Sequence, residues 1–201
     1  MALRYTDAKR DLYRKLAKKE GYKSRAAYKL IQIDKKYNIL VQGNIIIDFG
    51  AAPGGWMQVS SERVGANGLV LGIDLKRVTP FAENTKTLTY DIFDPAICED
   101  ILRILPRKAD VVLSDLAPDI IGVWQVDHLR QIDMVLKVVD LLPHILQLNG
   151  STILKIFEGE STRSIIDTVK GIFGKVHISK PPASRGKSSE FYLVCEKYRE
   201  N

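Results

Sequence analysis

Lys155 stands inside the apolar run Thr152-Ile153-Leu154-Lys155-Ile156-Phe157. An unpaired ammonium is costly to bury, so this lysine needs a partner or a purpose. The plain alternative is an edge-strand lysine whose head reaches water. Two acids occupy strand ends: Asp115 follows Ala109-Asp110-Val111-Val112-Leu113-Ser114, and Glu190 opens the last strand pattern. Lys29, within Ser24-Arg25-Ala26-Ala27-Tyr28-Lys29-Leu30, reads on its own as a surface lysine. Binding chemistry is written more plainly in Asp48-Phe49-Gly50-Ala51-Ala52-Pro53-Gly54-Gly55-Trp56, which follows the strand-like run Asn44-Ile45-Ile46-Ile47. Gly50, Gly54 and Gly55 remove Cβ atoms where a backbone must bend or approach a ligand, and the next helix would aim its free N–H groups there. A second apolar run ends at Asp74, 24 residues after Gly50. An acid there can accept from both hydroxyls of a ribose.

These features describe a nucleoside-cofactor site at the carboxyl edge of a parallel sheet. The glycine spacing is not the strict G-x-G-x-x-G of dinucleotide enzymes. Asp91, after the short run Thr87-Leu88-Thr89-Tyr90, suits the exocyclic amine of an adenine. The balance favours S-adenosylmethionine over a nicotinamide cofactor.

The elements that position these residues alternate. Strands are expected near 44–49, 69–74, 86–90, 109–114, 151–157, 175–180 and 190–196. Helices are expected near 8–20, 24–36, 55–64, 95–105, 126–148 and 161–172, with Pro143 kinking or ending the long one. Continuous apolar strands imply helices on both faces of the sheet. The last two strands, with no helix between them, should form an antiparallel hairpin.

A chain of 201 residues supports one substantial core, and 45% hydrophobic with 27% charged residues is ordinary for a soluble domain. With no membrane-length apolar run and no signal-peptide core, a cytoplasmic protein is expected. Cys98 and Cys195 read as reduced thiols, and His128, His144 and His177 show no metal-ligand spacing. Residues 1–29 hold ten Lys or Arg against three Asp or Glu, whereas the whole chain carries only +6. Arg10, Arg14, Lys15, Lys18, Lys19, Lys23 and Arg25 alternate with Tyr5, Tyr13, Tyr22 and Tyr28. Such an arm suits RNA phosphates, with rings for stacking, and a second basic stretch runs from Lys180 through Arg185 to Lys187. A solvated basic helix is the alternative.

With these blocks in order, nearly the entire chain resembles the FtsJ-like (RlmE-type) ribose 2′-O-methyltransferases. The resemblance rests on Ser24 to Leu30, Asp48 to Trp56, Ser114 to Pro118, Lys155-Ile156-Phe157-Glu158-Gly159, and Lys180 to Arg185 through Glu190. It implies an α/β fold: a Rossmann-like seven-stranded sheet, mostly parallel, with a C-terminal antiparallel hairpin and helices on both faces. Residues 1–36 would be a basic RNA-contacting extension packed on a methyltransferase domain of residues 37–201. It also implies a catalytic tetrad at Lys29, Asp115, Lys155 and Glu190. S-adenosylmethionine would be held by Asp48, Gly50, Ala51, Pro53, Gly54, Gly55, Trp56, Asp74, Leu75, Asp91, Ile92 and Asp115. The implied partner is RNA, as large-subunit ribosomal RNA or the large ribosomal subunit, with no membrane and no metal, and a monomer is expected.

A ribose hydroxyl is a poor nucleophile and must lose its proton as it attacks. Lys155 is the expected general base, with Lys29 steadying the developing alkoxide and Asp115 orienting Lys155. The four groups titrate as one coupled set. Base-amino methylation would want an Asp/Asn-Pro-Pro-aromatic loop, which Ser114 to Pro118 lacks, and neither cysteine suits carbon-5 chemistry. Gly50 to Trp56 looks like the ribosomal branch of the family, whereas Ala117-Pro118-Asp119 and Val126-Asp127 look closer to the tRNA branch. The expected substrate is a uridine ribose of large-subunit ribosomal RNA, with the tRNA anticodon loop as the alternative. A non-catalytic RNA-binding assembly factor is the reading from another class.

Overall fold

The computed structural model describes residues 12–184 and 188–200; Arg10, Arg185 and Lys187 lie outside the described residues. The central strands are β1 (Ile45–Phe49), β2 (Leu69–Asp74), β3 (Thr85–Thr89), β4 (Ala109–Ser114) and β5 (Leu146–Phe157). They pair in parallel, and β6 (Phe173–Ser179) and β7 (Glu190–Tyr198) complete a sheet of order β3-β2-β1-β4-β5-β7-β6. β7 is antiparallel to both its neighbours, so the expected terminal hairpin forms with its second strand on the inside.

β1 is buried at every position because its side chains serve two cores in alternation. Ile45, Ile47 and Phe49 face α4 (Ile97–Ile104), α5 (Trp124–Ile145) and α6 (Thr162–Ile172). Ile46 faces α2 (Ala27–Tyr37) and α3 (Gly55–Val64). No helix among the described residues is long and apolar enough to cross a membrane. The chain runs outward from β1 to β2 and β3, then returns to β4 on the other side. The carboxyl ends of β1 and β4 therefore flank the sheet's switch point, where open α/β sheets leave a crevice.

Several boundaries differ from expectation: α2 starts at Ala27 and not at 24, α4 at Ile97 and not at 95, β6 at Phe173 and not at 175, and the starts of β5 and α5 also move. β5 starts at Leu146, directly after α5, and not at 151. Leu146 already pairs with Ala109, but a register shift follows and Asn149 turns left-handed (φ 62°), so the polar stretch Gln147 to Gly150 hides the strand. α5 starts two residues early, at Trp124, and Pro143 lies in its last turn, where the helix ends.

The N-terminal arm also differs. Residues 12–20 form helix α1. Tyr13 and Tyr22 pack on Tyr28 with ring centroids 5.3 and 5.8 Å apart, and the Tyr28 hydroxyl donates to Glu20 at 2.7 Å. Burial and the Glu20 carboxylate push the Tyr28 phenol above its ordinary value. These rings fasten α1 to α2 and to Ala183, so they are structural and are not laid out for bases. The basic heads of Lys15, Lys18 and Lys19 remain exposed.

α2 carries Lys29 and must be held firmly. Its last turn ends on Asn38 in the left-handed conformation, whose N–H donates to the Asp34 carbonyl at 2.7 Å. The buried Asp34 carboxylate accepts the Leu40 N–H at 2.9 Å and meets the half-exposed Arg63 guanidinium at 3.2 Å. Asp34→Ala is expected to cost roughly 1–3 kcal/mol, because it orphans a buried N–H. Arg63→Ala should cost less than about 1 kcal/mol. Urea-unfolding midpoints of the two variants check that order.

Candidate active site

The Gly50 turn and the loop beginning at Asp115 approach each other so closely that no side chain fits between them. Gly50 has φ +79°, and a Cβ there would meet the Leu116 backbone nitrogen at 3.0 Å. Gly55 serves a second close approach, because its Cβ would collide with the Ser24 hydroxyl oxygen in the segment that leads into α2. The glycines expected to admit a ligand thus admit neighbouring chain. Gly54 is the N-cap of α3, the Ala52–Pro53 peptide is cis, and Ala51 and Trp56 are buried. The Trp56 indole donates to the Ala26 carbonyl at 2.9 Å, tying the start of α3 to the start of α2.

Two clefts open from this junction. The larger, about 440 Å³, is lined by Gly50, Asp74, Leu75, Asp91, Ile92 and Asp115, with Tyr90, Phe93 and Met134 as further walls. The smaller, about 240 Å³, is lined by Ser24, Arg25, Lys29, Pro53, Trp56 and Asp115. Gly50, Ala52 and Asp115 belong to both. In the larger cleft Asp74 accepts the N–H groups of Ala52 at 2.9 Å and Lys76 at 2.8 Å. Each of its oxygens retains a lone pair for a ribose hydroxyl. Asp91 accepts the Phe93 N–H at 2.9 Å and so shapes its own loop.

The four tetrad positions come together as two linked pairs. Lys29 Nζ lies 2.7 Å from Glu190 Oε1, and both side chains are buried. Lys155 Nζ lies 3.4 Å from Asp115 Oδ1 and 3.2 Å from the Asp115 carbonyl. The shorter bond to that Oδ1 comes from the Tyr192 hydroxyl, at 2.9 Å. Burial, and then the Asp115 carboxylate, push the Tyr192 phenol well above its ordinary value, so it stays protonated and donates. Lys29 Nζ also lies 5.6 Å from the Tyr192 ring centroid. Register explains the assembly: Lys155 is directly opposite Tyr192, and Phe157 opposite Glu190. Alternation then puts Lys155, Glu190 and Tyr192 on one face of the sheet.

Among the expected RNA-binding residues, Arg14, Lys18, Lys23 and Arg25 line one shared cleft beside the arm. Lys23 is partly engaged, with its ammonium 4.5 Å from the Phe81 ring centroid. Lys15 and Lys19 are exposed on α1 outside that cleft.

Residues 22–198 match the model of the FtsJ-like methyltransferases. The chain belongs to the FtsJ-like methyltransferase family. It is 41% identical to ribosomal RNA large subunit methyltransferase E of Methanothermobacter thermautotrophicus, over 96% of this chain and 92% of the relative. The namesake enzyme of Cenarchaeum symbiosum is 40% identical, over 98% of this chain and all of the relative. A Plasmodium falciparum crystal structure assigned as a ribosomal RNA methyltransferase superposes with TM-score 0.81 at 34% identity, covering 90% of this chain and 100% of that one. Fibrillarin of Aeropyrum pernix, solved with bound S-adenosylmethionine, shares the fold (TM-score 0.57, 16% identity, 85% of this chain and 73% of that one).

Sequence reasoning about this FtsJ-like methyltransferase missed two residues that build the site. Tyr192 was legible as the same-face neighbour of Glu190 two positions on. Gln131 had no such signal. β4 stops pairing at Ser114, which leaves β5 backbone groups without a strand beyond that point. The buried Gln131 amide replaces it, donating to the Lys155 carbonyl at 2.6 Å and accepting the Phe157 N–H at 3.2 Å.

Asp48 is 0% exposed, and neither carboxylate oxygen has a partner among the described residues. Burial, followed by the Asp115 and Asp74 charges, pushes its carboxyl well above the ordinary range. An acid raised in this way binds its proton more tightly when folded. Its contribution to stability is therefore full below the unfolded value near pH 4 and lost as pH rises towards the folded one. Asp48→Asn removes the titration, so its stability relative to wild type should grow between about pH 5 and pH 8. Urea midpoints at the two pH values test this; an equal offset at both would mean Asp48 takes up no proton on folding.

Proposed function

We propose that this chain transfers a methyl group from S-adenosylmethionine to the ribose 2′-hydroxyl of a uridine in large-subunit ribosomal RNA. One observation carries the reading: two clefts meet at Asp115, and a lysine amine that is not tightly paired touches that residue. Donor and acceptor can then enter from opposite sides and meet end to end. The RNA class follows the names of the archaeal relatives.

The larger cleft fits the donor. Asp74 and Asp115 bring negative potential to one point, which suits a cationic sulfonium and disfavours an anionic dinucleotide. Asp74 would take the ribose, Asp91 the adenine amine, and Leu75 and Ile92 the faces of the base, with Gly50 and Ala52 of the glycine turn holding the amino-acid end; Ala51, Pro53, Gly55 and Trp56 line the smaller cleft instead. S-adenosylmethionine supplies an electrophilic methyl group when bound.

The chain's own residues handle the proton. Lys155 Nζ accepts it from the 2′-hydroxyl as the oxygen attacks. Lys29 is committed to Glu190 by the shorter contact, so it acts as a fixed positive charge for the developing alkoxide. Asp115, oriented by Tyr192, aims Lys155. The extension of residues 1–36 would collect RNA through Arg14, Lys15, Lys18, Lys19, Lys23 and Arg25, together with Arg10 and the Arg185 and Lys187 loop.

Label from methyl-labelled donor should enter large ribosomal RNA and survive alkali as resistant dinucleotides, because a 2′-O-methyl blocks strand cleavage. Lys155→Ala should lower transfer by about 100-fold or more while donor binding, measured calorimetrically, is kept. Wild-type turnover in that variant would remove Lys155 as the base. Label in tRNA would move the substrate to the other branch, and no label despite donor binding would favour an assembly factor. Combined Arg14→Ala and Lys18→Ala should reduce the slope of log binding constant against log salt by about 0.7–0.9 per lost phosphate contact. An unchanged slope would make the arm a solvated helix.

A further inference from the structure

Tyr13, Tyr22 and Tyr28 are engaged in packing, yet another aromatic surface lies beside the tetrad. Trp124, the first residue of α5, is 48% exposed. Its ring is stacked near Phe157 (centroids 6.2 Å, planes 29° apart) and near His128 one helical turn on (6.1 Å, 17°). Phe157 is in turn 5.6 Å from Lys155 Nζ. Two short steps therefore separate a half-bare indole from the proposed proton acceptor.

The placement is rigid. The buried Asp127 carboxylate accepts the N–H groups of Ile121 and Gly122, each at 3.0 Å, and so pins the loop that leads into α5. Gln131, one turn beyond His128, bolts the same helix to the backbone of Lys155 and Phe157. With its helix anchored at Asp127 and Gln131 and about half its own surface left to water, the indole is placed to meet a flat partner. Ile120, Ile121, Val123 and Leu129, close to it in sequence, are also exposed and apolar.

We propose that Trp124 is a stacking platform for an unpaired RNA base, either that of the methylated nucleotide or of an immediate neighbour in the strand. This inference rests on the RNA-methylation reading above. A base is favoured over a docked protein by position: the loop carrying the platform begins at Asp115, the wall shared by both clefts, so a protein seated there would obstruct the acceptor's approach. Single-stranded RNA is commonly gripped through its base faces on aromatic rings, and the ring in question lies within reach of a ribose placed at Lys155. Trp124 is thus a positioning residue.

The test uses the full chain and a fluorescently labelled, uridine-containing single-stranded RNA oligonucleotide, with anisotropy as the binding signal. Trp124→Ala should weaken binding by about 5- to 100-fold, and Trp124→Phe, which keeps a stacking face, should recover most of it. In methyl transfer to undermethylated large ribosomal subunits, Trp124→Ala should raise KM for the subunit more than it lowers kcat, with donor affinity unchanged. Equal binding by wild type and Trp124→Ala overturns the platform, as does a Trp124→Phe defect as large as that of alanine. Concentration-dependent self-association that depends on Trp124 and is untouched by RNA would assign the surface to a protein contact and overturn it too. Failure of the wild type to methylate ribosomal RNA sinks the functional reading instead, and the anisotropy comparison still decides the platform.

Discussion

The contact between the Gly50 turn and the Asp115–Leu116 backbone governs the rest of the molecule. It lies at the switch point of the sheet, where β1 and β4 pair in parallel and their chains leave in opposite directions. Open α/β sheets bind ligands in the crevice at such a point. Here the two loops close to near contact and split it into two compartments that share a wall. A side chain at Gly50 would press its Cβ on the Asp115–Leu116 backbone, which would have to give by a few tenths of an ångström. The positive φ of Gly50 compounds the constraint, since few other residues tolerate that conformation.

The charges behind that wall are costly to keep. Lys29, Glu190 and Lys155 are buried, and each is removed from water that would otherwise solvate it. Buried ion pairs seldom repay their desolvation in net stability. Lys29 with Glu190 is a close pair; Lys155 with Asp115 is looser, and the same carboxylate oxygen also accepts the Tyr192 hydroxyl. On the proposed mechanism this asymmetry would divide labour between otherwise similar lysines, Lys29 serving as the charge near the alkoxide and Lys155 as the proton acceptor. A site optimised for stability alone would have paired both or buried neither.

How far the sequence discloses this depends on the physical signal each part carries. β1, β2 and β4 were legible because burial on both faces demands unbroken apolar runs, and the glycine turn because its φ values demand glycine. The start of β5 was not, since a register shift and the left-handed Asn149 let polar residues occupy strand positions. The tetrad positions followed from resemblance, with Lys155 alone conspicuous from the residues themselves. Gln131 was illegible because its task, replacing a strand that has peeled away, exists only once β4 has ended. The arm misled in part: alternating basic and aromatic residues look alike whether the rings face RNA or one another, and Tyr13, Tyr22 and Tyr28 face one another.

The antiparallel strand at the end of the sheet is what makes the tetrad possible. In a parallel sheet every strand presents its last residues at the carboxyl edge, and its first residues lie at the far edge. Glu190 is the first residue of its strand. Only by running against β5 can β7 set Glu190 opposite Phe157, at the edge where Lys155 and Asp115 already stand. The same reversal puts Tyr192 opposite Lys155 and within reach of Asp115. Placing β7 between β5 and β6 also keeps these residues off the sheet's outer edge and out of water. Strand order and direction here specify which carboxylate meets which lysine, and thereby the chemistry open to the site.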